Sequence, residues 1–299
     1  MRWSLRVAEP VPLDTGWLKA HPLPDHHDNV DKNGRGRVLV IGGCRRVPGG
    51  MLLTAEAAFR AGAGKVTIAT IESAAIPVGV SFPCSAVVAL PETAEGEIAP
   101  AGADLLFAEL PLHDAIVFGP AMIDEDGVEA LLAAILPSLP EEMFLLLDAF
   151  ALRAATAHAD AIAARGKRTV MTPHEGELAA LLGADKEEVA RNPLAALAKA
   201  ADTYRSTVMV KGATSHLMAG ETCLSYAGGG LGLAVSGSGD VLGGLIAGLG
   251  ARGLPALPAA AWGIWLHGEA GRRMAETMGP IGYLARELLP IVPGLMRGV

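Results

Sequence analysis

Short, largely apolar runs alternate along the chain with stretches whose apolar residues recur every three or four positions. The runs fall at 37–43 (RVLVIGG), 65–71 (KVTIATI), 87–90, 115–118, 143–148 (MFLLLD), 168–172 and 207–210. Continuous apolar runs of this length are the pattern of strands buried on both faces of a parallel sheet. Helical spacing covers 51–61, 128–136, a segment opened by Pro173 and closed by Gly183, 186–201, 241–251, 259–277 and 282–289. Residues 215–219 and 222–225 form a hairpin around Gly220-Glu221. Strands alternating with helices predict an α/β fold with a mainly parallel central sheet and helices on both faces.

Residues 1–35 break this rhythm. They are polar and rich in proline and histidine, and they read as a solvated N-terminal arm before a single domain over 36–299. His26, His27 and Asp28 do not make a metal site, because adjacent residues point to different sides. The run 73–91 carries no charge and is long enough to span a bilayer. Pro77, Pro83 and several serines interrupt it, so it reads as loop plus strand.

Composition narrows the function. Of the 299 residues, 51% are hydrophobic, which allows a large core, and an apolar surplus of this size makes a homo-oligomer plausible. The net charge is −8 with no basic run, which argues against a nucleic-acid partner. Cys44, Cys84 and Cys223 are far apart and form no CxxC, so they read as buried thiols in a reducing compartment. No apolar signal region follows Met1, so a cytoplasmic location is expected.

The segment 227–253 (AGGGLGLAVSGSGDVLGGLIAGLGARG) concentrates the chemistry. Gly237 and Gly239 permit a close main-chain approach by a ligand. The helix that follows offers free N–H groups and the positive end of its dipole to an anion. Asp240 stands at the same end. A carboxylate there is either a favourable first-turn residue or a base that deprotonates a hydroxyl attacking a phosphoryl group. Lys211, Gly212, Ala213, Thr214 and Ser215 directly follow a strand, as a nucleotide-facing turn or as an ordinary hairpin entry. His174 and Glu177 lie one helical turn apart. They could reach a ligand or a hydrated Mg²⁺, or simply begin a helix. His267 reads as a packed helix histidine. The GxGxxG letters at 248–253 follow a helix and not a strand, so they lack the context of a dinucleotide fingerprint. Gly42-Gly43, Gly119-Pro120, Asp148, Thr172-Pro173-His174 and Lys211-Gly212 all fall at strand ends, where open α/β sheets bind ligands.

With GSGD, TPHEGE, KGATS and LHGEAG in this order, the chain resembles the NAD(P)H-hydrate dehydratases of the ribokinase superfamily over about 37–271. The resemblance implies a ribokinase-like fold and repair of hydrated NADH and NADPH. ADP or ATP phosphorylates the ring hydroxyl with Mg²⁺, and phosphate then leaves. It implies Asp240 as base, Gly237, Ser238 and Gly239 as anion hole, and 211–215 with Gly239 as nucleotide site. It further implies that Gly50, Gly119, His174 and Asp240 meet the substrate, and that Glu177 acts on Mg²⁺ indirectly. An NAD(P)H-hydrate epimerase would be a functional partner on a separate chain.

Several positions depart from the family pattern. Gly50 stands where alanine is usual, and Gly229-Gly230 replaces Gly-Asn. Val235 stands where threonine is usual. Asp148-Ala149-Phe150 replaces DAD, and 119–123 reads GPAMI where GPGLG is usual. Two rival readings stay open on the sequence: a kinase of a small hydroxylated metabolite, and a non-catalytic nucleotide-binding protein.

Overall fold

The structure, a computed structural model, describes residues 9–24 and 30–299. His26, His27 and Asp28 lie outside the described residues. Ten strands form one sheet: β1 (Val11–Pro12), β2 (Arg37–Ile41), β3 (Lys65–Ile71), β4 (Ala86–Leu90), β5 (Ala115–Phe118), β6 (Phe144–Leu147), β7 (Thr169–Met171), β8 (Thr207–Val210), β9 (Ser215–Ala219) and β10 (Thr222–Tyr226). Their spatial order is β1-β10-β9-β8-β7-β6-β5-β2-β3-β4. Only the β8–β9 and β9–β10 pairs are antiparallel. The order reverses between β5 and β2, a switch point of the kind that opens a crevice beyond the strand ends.

The first seven helices are α1 (Thr15–Ala20), α2 (Gly50–Arg60), α3 (Glu72–Ser81), α4 (Ala103–Glu109), α5 (Glu125–Ile135), α6 (Phe150–Ala154) and α7 (Ala159–Arg165). They are followed by α8 (Glu175–Leu182), α9 (Lys186–Arg191), α10 (Pro193–Tyr204), α11 (Ser238–Ala251), α12 (Ala256–Thr277) and α13 (Val292–Met296). One apolar cluster runs from Leu13 to Leu295 through all the central strands.

The helix α11 lies over β2, β5 and β6, against α2 and α12. Its small residues make this possible. A methyl on Gly244 would collide with the Thr54 carbonyl, and one on Gly248 would lie 2.6 Å from the Ala58 carbonyl oxygen. Thus α11 and α2 touch backbone to backbone.

Several expectations change. The helix expected over 282–289 is a 3-10 helix, Ala285–Ile291, and Cys84 is exposed and not buried. The segment before residue 35 is not simply solvated, since Leu13 and Leu18 are buried and β1 pairs with the end of the hairpin. The 73–91 run holds α3, not a loop. Ala74, Ala75 and Val78 pack inward on one face, and Glu92 receives the Ser73 N–H at the helix start. The single helix expected over 186–201 is two, α9 and α10. Pro193 has no N–H to extend α9, and Asn192 before it takes a non-helical φ of −139°. Among the described residues, no helix is long and apolar enough to cross a membrane.

Candidate active site

The site forms where the carboxyl ends of β2, β5, β6, β7 and β8 meet the N-terminal ends of α2, α8 and α11. Gly237 takes a left-handed φ of 85° and turns the chain into α11. The Ser238 N–H donates to the Val235 carbonyl at 3.2 Å, and the Val241 N–H to the Gly237 carbonyl at 3.1 Å. The N–H groups of Gly237, Gly239 and Asp240 find no backbone acceptor among the described residues. These three, at the positive end of a 14-residue helix, are the donors left for an anion.

Asp240 is the third residue of α11. Burial first, and then the Asp148 charge, raise its pKa to about 7, with Lys211 working against both. A carboxyl group with a pKa near neutrality has the poise of a general base. A methyl built on Gly50 would lie 3.9 Å from Asp240 Oδ2, so the first turn of α2 forms the wall beside this carboxylate.

Asp148, at the end of β6, and Lys211, at the end of β8, form an ion pair of 2.9 Å. Both flank Gly239: a methyl there would lie 3.8 Å from Asp148 Oδ2 and 3.9 Å from Lys211 Nζ. Burial opposes the Lys211 charge, but Asp148, Glu177 and Asp240 outweigh it and raise its pKa. Lys211 therefore stays a cation at the edge of the anion loop. The sequence places Asp148 at a strand end, but nothing in it pairs residues 63 positions apart.

His174 and Glu177 build a capping box at the start of α8. The Glu177 carboxylate accepts the His174 N–H at 2.8 Å, and the Glu177 N–H donates to His174 Nδ1 at 3.1 Å. The helix-start reading of this pair therefore holds. The cap also brings His174 beside Lys211, whose N–H donates to the Pro173 carbonyl at 3.0 Å. A cavity of about 610 Å³ opens there, lined by His174, Glu175, Gly176, Lys186, Lys211 and Gly212 among others. Gly212, Ala213 and Thr214 are exposed, while Ser215 is buried and its hydroxyl closes the turn onto Gly212.

Gly119 is buried at the end of β5 with φ 115°, pressed against the Asp148 carbonyl. Two of the segments that depart from the family pattern, 121–123 and 148–150, adjoin this point. Ala121 and Ala149 hold left-handed φ values of 55° and 53°, unusual for alanine. Gly229 and Gly230 both have positive φ, and Gly230, at φ 88° and ψ 177°, sits where only glycine is comfortable. Asparagine at 230 would be strained on this backbone.

No group of three or more His, Cys, Asp or Glu side chains able to hold a metal occurs among the described residues. The residues fit Mg²⁺ only as an ion that arrives with nucleotide phosphates, which needs few protein carboxylates. Glu177 and Asp240 are carboxylates whose charges reach Lys211 at this edge of the site. When bound, such an ion neutralises charge on the phosphates.

One more contact escapes sequence reading. His267, on α12, is buried with its Nε2 3.0 Å from the Ser238 hydroxyl.

Residues 38–294 match the family model described as NAD(P)H-hydrate dehydratase. The chain is 43% identical over 280 residues to an ADP-dependent (S)-NAD(P)H-hydrate dehydratase of Xanthomonas campestris, covering 93% of each. It is 32% identical to a bifunctional NAD(P)H-hydrate repair enzyme of Moorella thermoacetica, covering 96% of this chain and 54% of that one. In fold it is similar to an ADP/ATP-dependent NAD(P)H-hydrate dehydratase of Bacillus subtilis co-crystallised with ATP and Mg²⁺. That match has TM-score 0.78 and 24% identity, and covers 97% of this chain and 99% of that chain.

Proposed function

Because the chain belongs to the NAD(P)H-hydrate dehydratase family, we propose that it restores NADH and NADPH from their hydrates at the expense of ADP or ATP. The observation that carries the reading is Asp240, poised near pH 7 in the first turn of α11 beside free N–H groups and the Asp148–Lys211 pair.

The ring hydroxyl of the hydrate lies against Asp240, which takes its proton. The freed oxygen attacks the terminal phosphorus of the nucleotide, and the bond from that phosphorus to the bridging oxygen breaks. The Gly237, Gly239 and Asp240 N–H groups and Lys211 receive the charge of the transferred group. Phosphate is a far better leaving group than hydroxide, so the ester's C–O bond breaks, the neighbouring ring carbon gives up a proton to solvent, and the ring double bond returns. Gly50 and Gly119 shape the substrate wall, and His174 meets the dinucleotide. The turn 211–215 with Gly239 holds the nucleotide, and Glu177 organises Mg²⁺ indirectly.

We place the reaction in the cytoplasm, in a homo-oligomer, with an NAD(P)H-hydrate epimerase on a separate chain as functional partner. The bifunctional relatives, of whose length this chain covers about half, motivate that last assignment.

The test is recovery of NADH absorbance from the hydrate with Mg²⁺ and either ADP or ATP. Nucleotide-dependent recovery supports the reading and names the donor. A phosphorylated product that accumulates without recovery would select a small-metabolite kinase. Nucleotide binding without any turnover would select a binding protein.

A further inference from the structure

His267 is a buried titratable group outside the proposed chemistry that touches the anion loop. Burial pushes its pKa down to about 4, against the Ser238 backbone carbonyl, which favours the charged ring. The imidazole is therefore neutral and carries one N–H. Its Nδ1 is buried with no hydrogen-bond partner, while Nε2 lies 3.0 Å from Ser238 Oγ. With the proton on Nδ1, a donor would be orphaned in the core. With the proton on Nε2, only a lone pair is orphaned. Buried donors without acceptors are the rarer and costlier case. The network thus selects the Nε2–H tautomer, and Ser238 Oγ is the acceptor.

A serine hydroxyl that accepts still has its own proton to give. Ser238 Oγ has no other hydrogen bond among the described residues. Ser238 is the first residue of α11, and its main-chain N–H is already taken by the Val235 carbonyl. Its share in an anion site must come from the side chain.

We propose that His267 is a positioning residue that holds the Ser238 hydroxyl as a side-chain donor to the phosphoryl group transferred at the α11 N-terminus. The inference rests on the proposed function for the identity of that anion. The anion loop then offers three main-chain donors and one hydroxyl, and the hydroxyl's direction is fixed from behind by a group that never meets the substrate. His267 thereby acquires a role that helix packing alone does not give it.

The first test needs no variant and no turnover. Long-range ¹H–¹⁵N spectra of the wild-type protein report which ring nitrogen of His267 is protonated. We expect a protonated Nε2 and a bare Nδ1, unchanged between about pH 5.5 and 8. A protonated Nδ1, or a ring that charges in this range, would overturn the proposal. The same spectra stand whether or not the hydrate is the substrate, so failure of the proposed function is told apart from failure of this one.

The second test is kinetic. Ser238→Ala should lower kcat by about 10- to 100-fold while the nucleotide KM moves less than about threefold. His267→Phe should do the same, and the double variant should be no worse than the poorer single. His267→Gln, which keeps an N–H donor, should recover most of the loss. Losses that multiply, or a Ser238→Ala enzyme with wild-type kcat, would overturn the proposal. If His267→Phe does not fold, Ser238→Ala and His267→Gln still decide it.

Discussion

A methyl group built on Gly50 would stand 2.8 Å from the Cβ of Ala121, so the two positions have room for one side-chain carbon between them. Ala121 carries it, at a φ of 55° that suits glycine better. Gly50→Ala alone should cost about 1–3 kcal/mol through overpacking. Ala121→Gly should be nearly neutral, since relief of the left-handed strain offsets the greater freedom of the unfolded chain. The double variant should regain most of what Gly50→Ala loses. Urea denaturation of the four proteins measures the coupling, and additive effects would show that the two methyls do not compete.

Asp240→Asn should abolish hydrate turnover and leave nucleotide binding largely intact. It should also stabilise the fold in a pH-dependent way. The folded-state pKa of Asp240, about 7, is above its unfolded value, so the native carboxyl prefers its proton. Ionisation therefore removes stability as pH rises from about 4 to 7, and none of this loss is present below about 4. The asparagine variant escapes it. Its advantage should be near zero at pH 4 and grow to at most about 4 kcal/mol at pH 8, read from melting at the two pH values. A constant advantage would mean that Asp240 titrates normally.

The Asp148–Lys211 pair should move the acidic limb of the rate profile in opposite directions. Activity needs ionised Asp240, so kcat/KM should rise with pH through about 7. The Asp148 charge raises that midpoint and Lys211 lowers it. Asp148→Asn should shift the limb to lower pH and Lys211→Met to higher pH, each by about one unit. Lys211→Met should also lose about 100-fold or more in kcat. Shifts of the same sign would place the titrating group elsewhere.

Two neighbouring glycines of α11 should respond differently to alanine. Gly244 abuts the Thr54 carbonyl, so Gly244→Ala must force α11 from α2 and should cost about 1–3 kcal/mol together with activity. At Gly243 a methyl would meet only Leu146 Cδ2 at 3.6 Å, an ordinary contact. Gly243→Ala should keep activity and gain about 0.5–1 kcal/mol from helix propensity. Chemical denaturation with parallel kcat measurement checks both.

What could be read in the sequence was local. The strand ends at Gly42, Gly119 and Asp148, the hairpin at Gly220-Glu221 and the start of α8 at His174 each carry their signal within a few residues. The α3 helix was obscured because Pro77 and the serines outweigh a weak inward face of Ala74, Ala75 and Val78. β1 is two residues long and exists only through its pairing with Leu224 and Ser225. The site divides the same way. The residues of the GSGD turn announce an anion site, whereas Asp148 with Lys211, Gly50 with Ala121 and Ser238 with His267 are pairs distant in sequence. No periodicity encodes such contacts, and the closeness of Gly50 to Ala121 depends on methyl-scale packing that only the folded backbone defines.

The backbone contact between α2 and α11 also governs how activity would be lost on heating. Gly50 and Asp240 ride on helices whose main chains touch through Gly244 and Gly248, inside the common core. No local opening can part them without exposing that core, whereas the exposed 212–214 turn can open by itself. The floor of the site therefore persists for as long as the whole fold does. Its working lifetime at high temperature is the global unfolding time, and protection of the α11 amides against hydrogen exchange would report that lifetime directly.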